Sequence, residues 1–345
     1  DIALEFGLFD RLTGTIEYFK KDSKDLLFDV SQPASVGVTS IIQNIGKVTN
    51  SGVEIELDYN AFKNKDWSVS VGANATFVKN KIKNLPATMK ENGYISGSKK
   101  WLEGKSIYEF WLRQWHGVDP QTGDGLYVAD VSKYNQGNIG TGDGNITQSQ
   151  FDEYKKTVVT IDGKELTNSY TYAKYDFSGS SIPDVYGGFN VRVSYKNFDL
   201  AAVFSYQLGG QILDTNYATM MSMTEFGYAQ SPDLLKAWKQ AGDITEVPRI
   251  DNSAAHTTNI GQSYSTRWLT SSDYLNLRSV TIGYQLPKTW LSKVMLKSAR
   301  LNLTAENLFM LKARQGLNPM ANYSGVTYNE YMPSRNITLG LNVSF

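Results

Sequence analysis

The chain has 345 residues, with 34 Lys+Arg against 34 Asp+Glu, and it contains no Cys. This neutral balance argues against a nucleic-acid partner, which needs a basic surplus, and the lack of Cys excludes a disulfide framework or a thiolate metal site. A mean hydropathy of -0.35, with no apolar run long enough for a membrane helix, excludes a helical membrane protein; a membrane β-barrel tolerates such polarity because only alternate strand residues meet lipid.

The length allows two or three ordinary domains or one large β architecture, and 21 Tyr with 29 Gly favour the latter. There is no initiator Met or signal peptide, and the segment from Asp1 to Phe9 already alternates like the middle of a strand. The chain therefore reads as part of something longer.

Period-2 alternation dominates, starting weakly with Ile2, Leu4, Phe6 and Leu8, then Ile16 and Tyr18. From Val53 it sharpens: Val53, Ile55, Leu57, Tyr59 and Ala61 share one face, and Glu54, Glu56, Asp58 and Asn60 the other. Trp67, Val69, Val71, Ala73, Ala75 and Phe77 form the next stripe. Phe189, Val191, Val193 and Tyr195 follow, then Phe198, Leu200, Ala202, Phe204 and Tyr206. The run at Leu275 and Leu277 resumes out of phase at Val280, Ile282 and Tyr284, which predicts a bulge near Arg278 and Ser279. Leu301, Leu303 and Ala305 precede a last stripe of Ile337, Leu339, Leu341, Val343 and Phe345.

Short and long connections alternate. Asp10-Arg11-Leu12, Lys63-Asn64-Lys65 and Lys196-Asn197 are tight; Lys21 to Ser51, Lys81 to Glu103, Ser132 to Asp184, Gly209 to Asp273 and Met310 to Ser334 are long. Bacterial barrels put short turns in the periplasm and long loops outside. With Phe345 on the periplasmic side, the short turns share that side if two more strands lie between Lys81 and Asp184. We place these at Lys105 to Val118 and Gly125 to Val131, giving roughly eleven strands. One helix is expected inside a loop. Ser231 is its N-cap, Pro232 its first residue, Leu234, Leu235 and Trp238 its apolar stripe, and Gly242 its stop.

Periodicity alone leaves two architectures open. A membrane barrel turns the apolar face to lipid and the polar face (Glu54, Glu56, Asp58, Arg192, Asp199, Arg300, Asn302, Glu306) to a lumen; a soluble sandwich buries the apolar face instead. Loop asymmetry, the C-terminal strand and strand-end aromatics (Trp67, Tyr284, Trp290, Phe309, Phe345) favour the all-β transmembrane antiparallel barrel.

No spacing supports catalysis. The two His, His116 and His256, have no Cys or carboxylate pattern around them, and Glu54 and Glu56 read as side-by-side lumen residues. The functional candidates are aromatics in expected extracellular segments: Trp101, Trp111, Trp115, Tyr134, Tyr217, Phe226, Tyr228, Trp238, Trp268 and Tyr323. They suit stacking on sugar rings or anchoring a partner; packing of the loops against one another is the plainer reading for most.

Four blocks resemble motifs of the SusC/RagA family of TonB-dependent transporters, in the family's order: residues 44–54 (NIGKVTNSGVE), 117–123 (GVDPQTG), Pro183 with Gly187-Gly188 and Phe198-Asp199-Leu200, and 274–287 (YLNLRSVTIGYQLP) with Ala305-Glu306-Asn307-Leu308. The resemblance implies a barrel of about 22 strands with a plugged lumen, of which residues 1–345 would be the C-terminal part and about half. Plug, TonB box and an N-terminal accessory domain would lie upstream. It further implies a SusD-like surface lipoprotein over the loops, glycan or peptide cargo, energy through the TonB complex, outer-membrane lipid around the wall, and no cofactor. Arg335 to Phe345 resembles the terminal strand read by the barrel-assembly machinery, with Phe345 as the signal. Family members often carry an EF-hand-like calcium loop. Here the stretch around Asp143 and Gly144 would put Ile139, Thr141 and Gln150 at ligand positions, too few carboxylates for calcium. Asp143 is thus a weak metal candidate, and a glycine-rich turn is the favoured reading. A passive porin or channel, a surface adhesin barrel and, more distantly, a soluble lectin are the rival functions.

Overall fold

The computed structural model describes the chain apart from residues 32–36, 38–39, 143, 223–226, 228, 254–255, 257–258, 262–263, 293–295 and 329, and apart from the side chains of residues 28–31, 40 and 43–45. Nine strands form one antiparallel wall in simple up-and-down order. They are β1 (Ile2–Leu8), β2 (Leu12–Ser31), β3 (Ser40–Lys63), β4 (Trp67–Asn84), β5 (Val185–Tyr195), β6 (Phe198–Leu208), β7 (Tyr274–Gln285), β8 (Ser298–Glu306) and β9 (Asn336–Ser344). The short strand Met310–Lys312 adds to the far end of β7. Among the described residues β1 and β9 each pair on one side only, so the wall is an open arc.

Register explains why the alternation is so clear. Tyr18, Val53 and Phe77 stand side by side across β2, β3 and β4, as do Ile16, Ile55 and Ala75. The same face continues through Val71–Val191–Ala202–Val280–Ala305–Ile337. It is uncovered, with Leu339 75% and Leu341 62% exposed. A sandwich would bury these residues. On β4 the stripe from Trp67 to Phe77 is about 33 Å long at roughly 3.3 Å per residue, or about 25 Å deep at a strand tilt of ~40°. That matches the apolar band of a membrane barrel. The opposite face carries Glu54, Glu56, Asp58, Arg192, Asp199 and Arg300.

All short turns lie at one end of the wall. Aromatics ring that end: Trp67 packs on Tyr195 and Phe198 on Tyr284, each pair with centroids 4.3 Å apart. Phe345 follows β9 at this end and is 82% exposed. The expected bulge is present: Val203 pairs with Ser279 and Phe204 with Leu277, so Arg278 is the extra residue. Gly187 is needed for close approach, since a Cβ there would lie 2.1 Å from the Asn74 carbonyl oxygen.

Three expectations fail. The segments 105–118 and 125–131 are not wall strands, because β5 pairs directly with β4 through Val71↔Val191. The turn-side argument needs only an even number of strands there, and the chain uses none. The stretch from Lys21 to Ser51 is not a long loop; β2 and β3 extend through most of it. The helix after Ser231 is a single short turn, Pro232–Lys236, and Trp238 lies beyond it. A true α-helix at Gln148–Thr157 was missed. Its signal was legible: Thr147 accepts the Gln150 N–H, and the Gln150 side chain accepts the Thr147 N–H, a capping box. Gln150 is thus engaged in the cap, not in the calcium loop assigned to it; Asp143 lies outside the described residues.

Buried apolar residues sit mostly in the layer of loops above the wall. One cluster joins Phe110, Leu112, Leu213, Met221, Val247, Trp268 and Val326. A second seats Val48 and Ile82 of the wall on Leu85 and Met89. A third joins Tyr134, Ile146, Phe151 and Tyr154.

Candidate functional site

Within the loop layer, strands Glu109–Arg113 and Tyr175–Ser180 pair antiparallel, with Trp111 opposite Phe177 and Arg113 opposite Tyr175. Alternation gives this ribbon two unlike faces. Phe110 and Leu112 point into the first buried cluster. The other face carries Trp111, Arg113, Tyr175 and Phe177, all half-exposed.

On that face rings and cations interleave. Trp111 lies 4.9 Å from Phe177, edge on, and 6.2 Å from Tyr175, nearly parallel. Lys100 Nζ stands 4.1 Å over Trp111 and Lys105 Nζ 4.7 Å over Phe177. The Arg113 guanidinium lies 4.6 Å from the Tyr175 ring and 4.8 Å from Tyr170, and its Nε donates to the Tyr170 carbonyl at 2.9 Å. Such a surface offers apolar ring faces together with donors for hydroxyl, carbonyl or carboxylate groups.

Beside it lies a cavity of about 340 Å³ lined by Trp115, His116, Tyr217, Glu246, Arg267 and Trp268 among others. Arg267 lies 4.7 Å from the Trp115 ring and 4.3 Å from the Trp268 ring, and donates to the Ile260 carbonyl. Burial pulls its guanidinium down to about 10, still charged at neutral pH.

The predicted aromatics divide by burial. Trp268 and Tyr134 belong to the buried clusters. Trp238 rests on the 117–123 turn: its Nε1 donates to the Pro120 carbonyl at 3.0 Å, and a Cβ on Gly123 would lie 2.4 Å from its ring. Tyr217 donates to Asp233 and lies under Arg314 at 3.6 Å. Trp101 donates to the Ile107 carbonyl and packs on the second buried cluster. Trp111 and Trp115 are half-exposed at the ribbon and the cavity; Tyr323 is 51% exposed, edge on to Tyr108. Tyr228 and Phe226 lie outside the described residues. Sequence reasoning missed Arg113, Tyr170, Tyr175 and Phe177, although the alternating Tyr175-Asp176-Phe177 hinted at a strand.

His256 has a structural role, its Nε2 donating to the Arg249 carbonyl at 2.8 Å, while His116 is exposed. No group of three or more His, Cys, Asp and Glu able to hold a metal occurs among the described residues.

An open up-and-down wall, apolar outside and polar inside, with a thick loop layer at one end defines the outer-membrane barrel class. The model of the family "TonB dependent receptor-like, beta-barrel" matches residues 1–142. Over its whole length the chain is 29% identical to TonB-dependent receptor P3 of Formosa agariphila, covering 34% of that protein. It is 24% identical to TonB-dependent receptor SusC of Bacteroides thetaiotaomicron, over 99% of this chain and 31% of that one. Among solved structures, the RagAB peptide importer in its closed-closed state superposes with a TM-score of 0.76 at 25% identity, covering 99% of this chain and 35% of that one. The chain thus spans about a third of the length of these relatives. On these matches the chain is similar over its whole length to the C-terminal barrel part of TonB-dependent receptors such as SusC and RagA.

Proposed function

We propose that residues 1–345 build the C-terminal part of one barrel domain in an importer that takes up glycan or peptide fragments across the outer membrane. Plug, TonB box and accessory domain lie upstream in this reading, and further strands complete the wall at its unpaired edges. A SusD-like lipoprotein covers the loop layer, and TonB supplies the energy that moves the plug. The observation that carries the cargo assignment is the half-exposed ribbon of Trp111, Tyr175, Phe177 and Arg113, whose reverse face is anchored in the loop core. Trp115 and Tyr323 are secondary contact candidates. Phe345, exposed at the turn end, is the assembly signal.

The test is purification of the full-length receptor from its own outer membrane in mild detergent, with mass spectrometry of everything retained. A stoichiometric surface lipoprotein and retained oligosaccharide or peptide support the importer and name the cargo class. A receptor that emerges alone, without plug or lipoprotein, supports a passive channel or adhesin.

A further inference from the structure

The outward face of β2, β3 and β4 changes character at one level. Its last apolar row is Tyr18–Val53–Phe77. The next row toward the loops is Lys20–Ser51–Lys79, and the one above it is Asp22–Thr49–Lys81. Residues two apart on a strand share a face, so these lysines stand directly above the apolar band. Lys20, Lys79 and Lys81 are all exposed. Asp22 is already engaged: it pairs with Lys47 at 2.9 Å and accepts the Thr49 hydroxyl at 2.7 Å. Among the described residues Lys20, Lys79 and Lys81 make no ion pair.

The same level is notched. β5 follows β4 only as far as Tyr186↔Thr76, while β4 runs on to Asn84. Loop backbone fills the gap, with Ile82 donating to the Lys105 carbonyl at 2.8 Å. What remains is a cavity of about 700 Å³ whose lining includes Tyr18, Ser51, Phe77, Lys79 and Lys81 as well as the carboxylates Glu109 and Asp184, with Lys20, the register partner of Ser51, just outside it. On β6 the outward face is apolar through Tyr206 and Leu208; Leu208 pairs with Val185, at the level where the β5–β4 ladder ends, and the lysine rows begin beyond it.

We propose that this notch binds the phosphorylated headgroup of an outer-leaflet glycolipid. Lys20 and Lys79 flank Ser51 on adjacent strands, about 10 Å apart, and Lys81 is about 7 Å along from Lys79. Flexible ammonium side chains at those separations converge on one or two phosphates. Tyr18, Val53 and Phe77 below form the floor against which acyl chains lie. Lysines held about 7–10 Å apart repel one another weakly in water, and a phosphate seated between them would turn that repulsion into attraction.

The test uses the full-length receptor extracted from its own outer membrane in mild detergent. Lipid retained per protein is measured by mass spectrometry and phosphate assay. The wild type is compared with a Lys20→Gln/Lys79→Gln/Lys81→Gln variant and with a Lys155→Gln/Lys164→Gln/Lys239→Gln control. Wild type and control are expected to retain phosphorylated glycolipid, and the first variant at least about tenfold less. Retention in the wild type should also fall as salt rises, a readout that holds even if the triple variant fails to insert. Equal retention in both triple variants, or salt-insensitive retention in the wild type, overturns the proposal. So does lipid-stripped wild type that takes up inorganic phosphate but no glycolipid from vesicles containing it, since that assigns the site to free phosphate. Cargo retention and lipoprotein co-purification are unaffected by the lysine changes, which separates this outcome from failure of the importer reading.

Discussion

Arg300 and Asp199 meet across the inner face of the wall at 2.6 Å, although the strands that carry them, β8 and β6, are separated by β7. The residue of β7 between them is Gly283, register partner of both Asp199 and Asn302. A Cβ at Gly283 would lie 2.3 Å from Arg300 Nη2 and 2.6 Å from Asp199 Oδ1. The glycine thus leaves the space in which an ion pair bridges three strands. Both side chains are about a third exposed, so the pair contributes no more than about 1 kcal/mol. Gly283→Ala and Asp199→Asn should each lower the barrel's unfolding midpoint in detergent by a comparable small amount. The double variant should be no worse than either single one, because both remove the same contact. Additive losses would show that Gly283 acts by some route other than the ion pair.

Two tryptophans separate binding from packing. Trp268 is 2% exposed and sits among Phe110, Leu213 and Met221. Trp268→Ala should cost about 3–5 kcal/mol of loop-layer stability, seen as faster proteolysis of the loops in the intact receptor. Trp111 is half-exposed, its ring shared between Lys100 and Phe177. Trp111→Ala should leave the proteolysis pattern unchanged and weaken cargo binding about tenfold, the value of one aromatic contact of roughly 1.4 kcal/mol. Faster loop cleavage with unchanged cargo affinity would make Trp111 a packing residue as well.

How much could be read without coordinates follows from which forces act locally. Wall strands were legible because lipid and lumen impose opposite polarities on successive residues, so Val53 to Ala61 and Trp67 to Phe77 declare themselves. Even the Arg278 bulge showed as a phase slip. Length was less legible: β2 and β3 continue beyond the apolar band, where Leu26-Leu27 and Ile41-Ile42 come as adjacent apolar pairs and break the alternation. Within the loops a half-buried ribbon such as Glu109–Arg113 has the same period as a wall strand. Parity of the turns fixes only an even count, so it does not distinguish two wall strands from none. The candidate site was half visible. Trp111 stood out as a residue type, but its neighbours Tyr175 and Phe177 lie more than sixty positions away, brought together by pairing alone.

The capping box of the Gln148–Thr157 helix gives a local test. Thr147 Oγ1 accepts from Gln150 N at 3.2 Å, and Gln150 Oε1 accepts from Thr147 N at 2.8 Å. Thr147→Ala removes one acceptor and should cost about 1 kcal/mol. Amide exchange across residues 148–157 should accelerate about fivefold while the wall strands stay protected. Millimolar calcium should not slow that exchange, since Gln150 is committed to the cap. Marked protection by calcium would restore the metal reading of this loop.

Lys99 should make the loop layer sensitive to alkali in an unusual direction. Its side chain is buried, and that burial pulls the ammonium from 10.5 down to about 7, opposed by the nearby Glu109 carboxylate. Its Nζ donates to the Tyr108 carbonyl at 2.9 Å and stands 3.1 Å over the Phe110 ring, contacts that also favour the charged form. With the folded value below the unfolded one, the unfolded chain binds the proton more tightly between pH 7 and 10.5. Folding is then penalised fully below pH 7, and the penalty is relieved as pH rises toward 10.5. Amide exchange in strand Lys99–Trp101, corrected for its intrinsic pH dependence, should therefore slow between pH 7 and 10. Reductive methylation with carbon-13 should give one dimethyl-lysine signal titrating near 7, absent in Lys99→Met. A signal titrating with the bulk lysines, and exchange flat over the same window, would mean that the carbonyl and the ring hold the ammonium charged in spite of its burial.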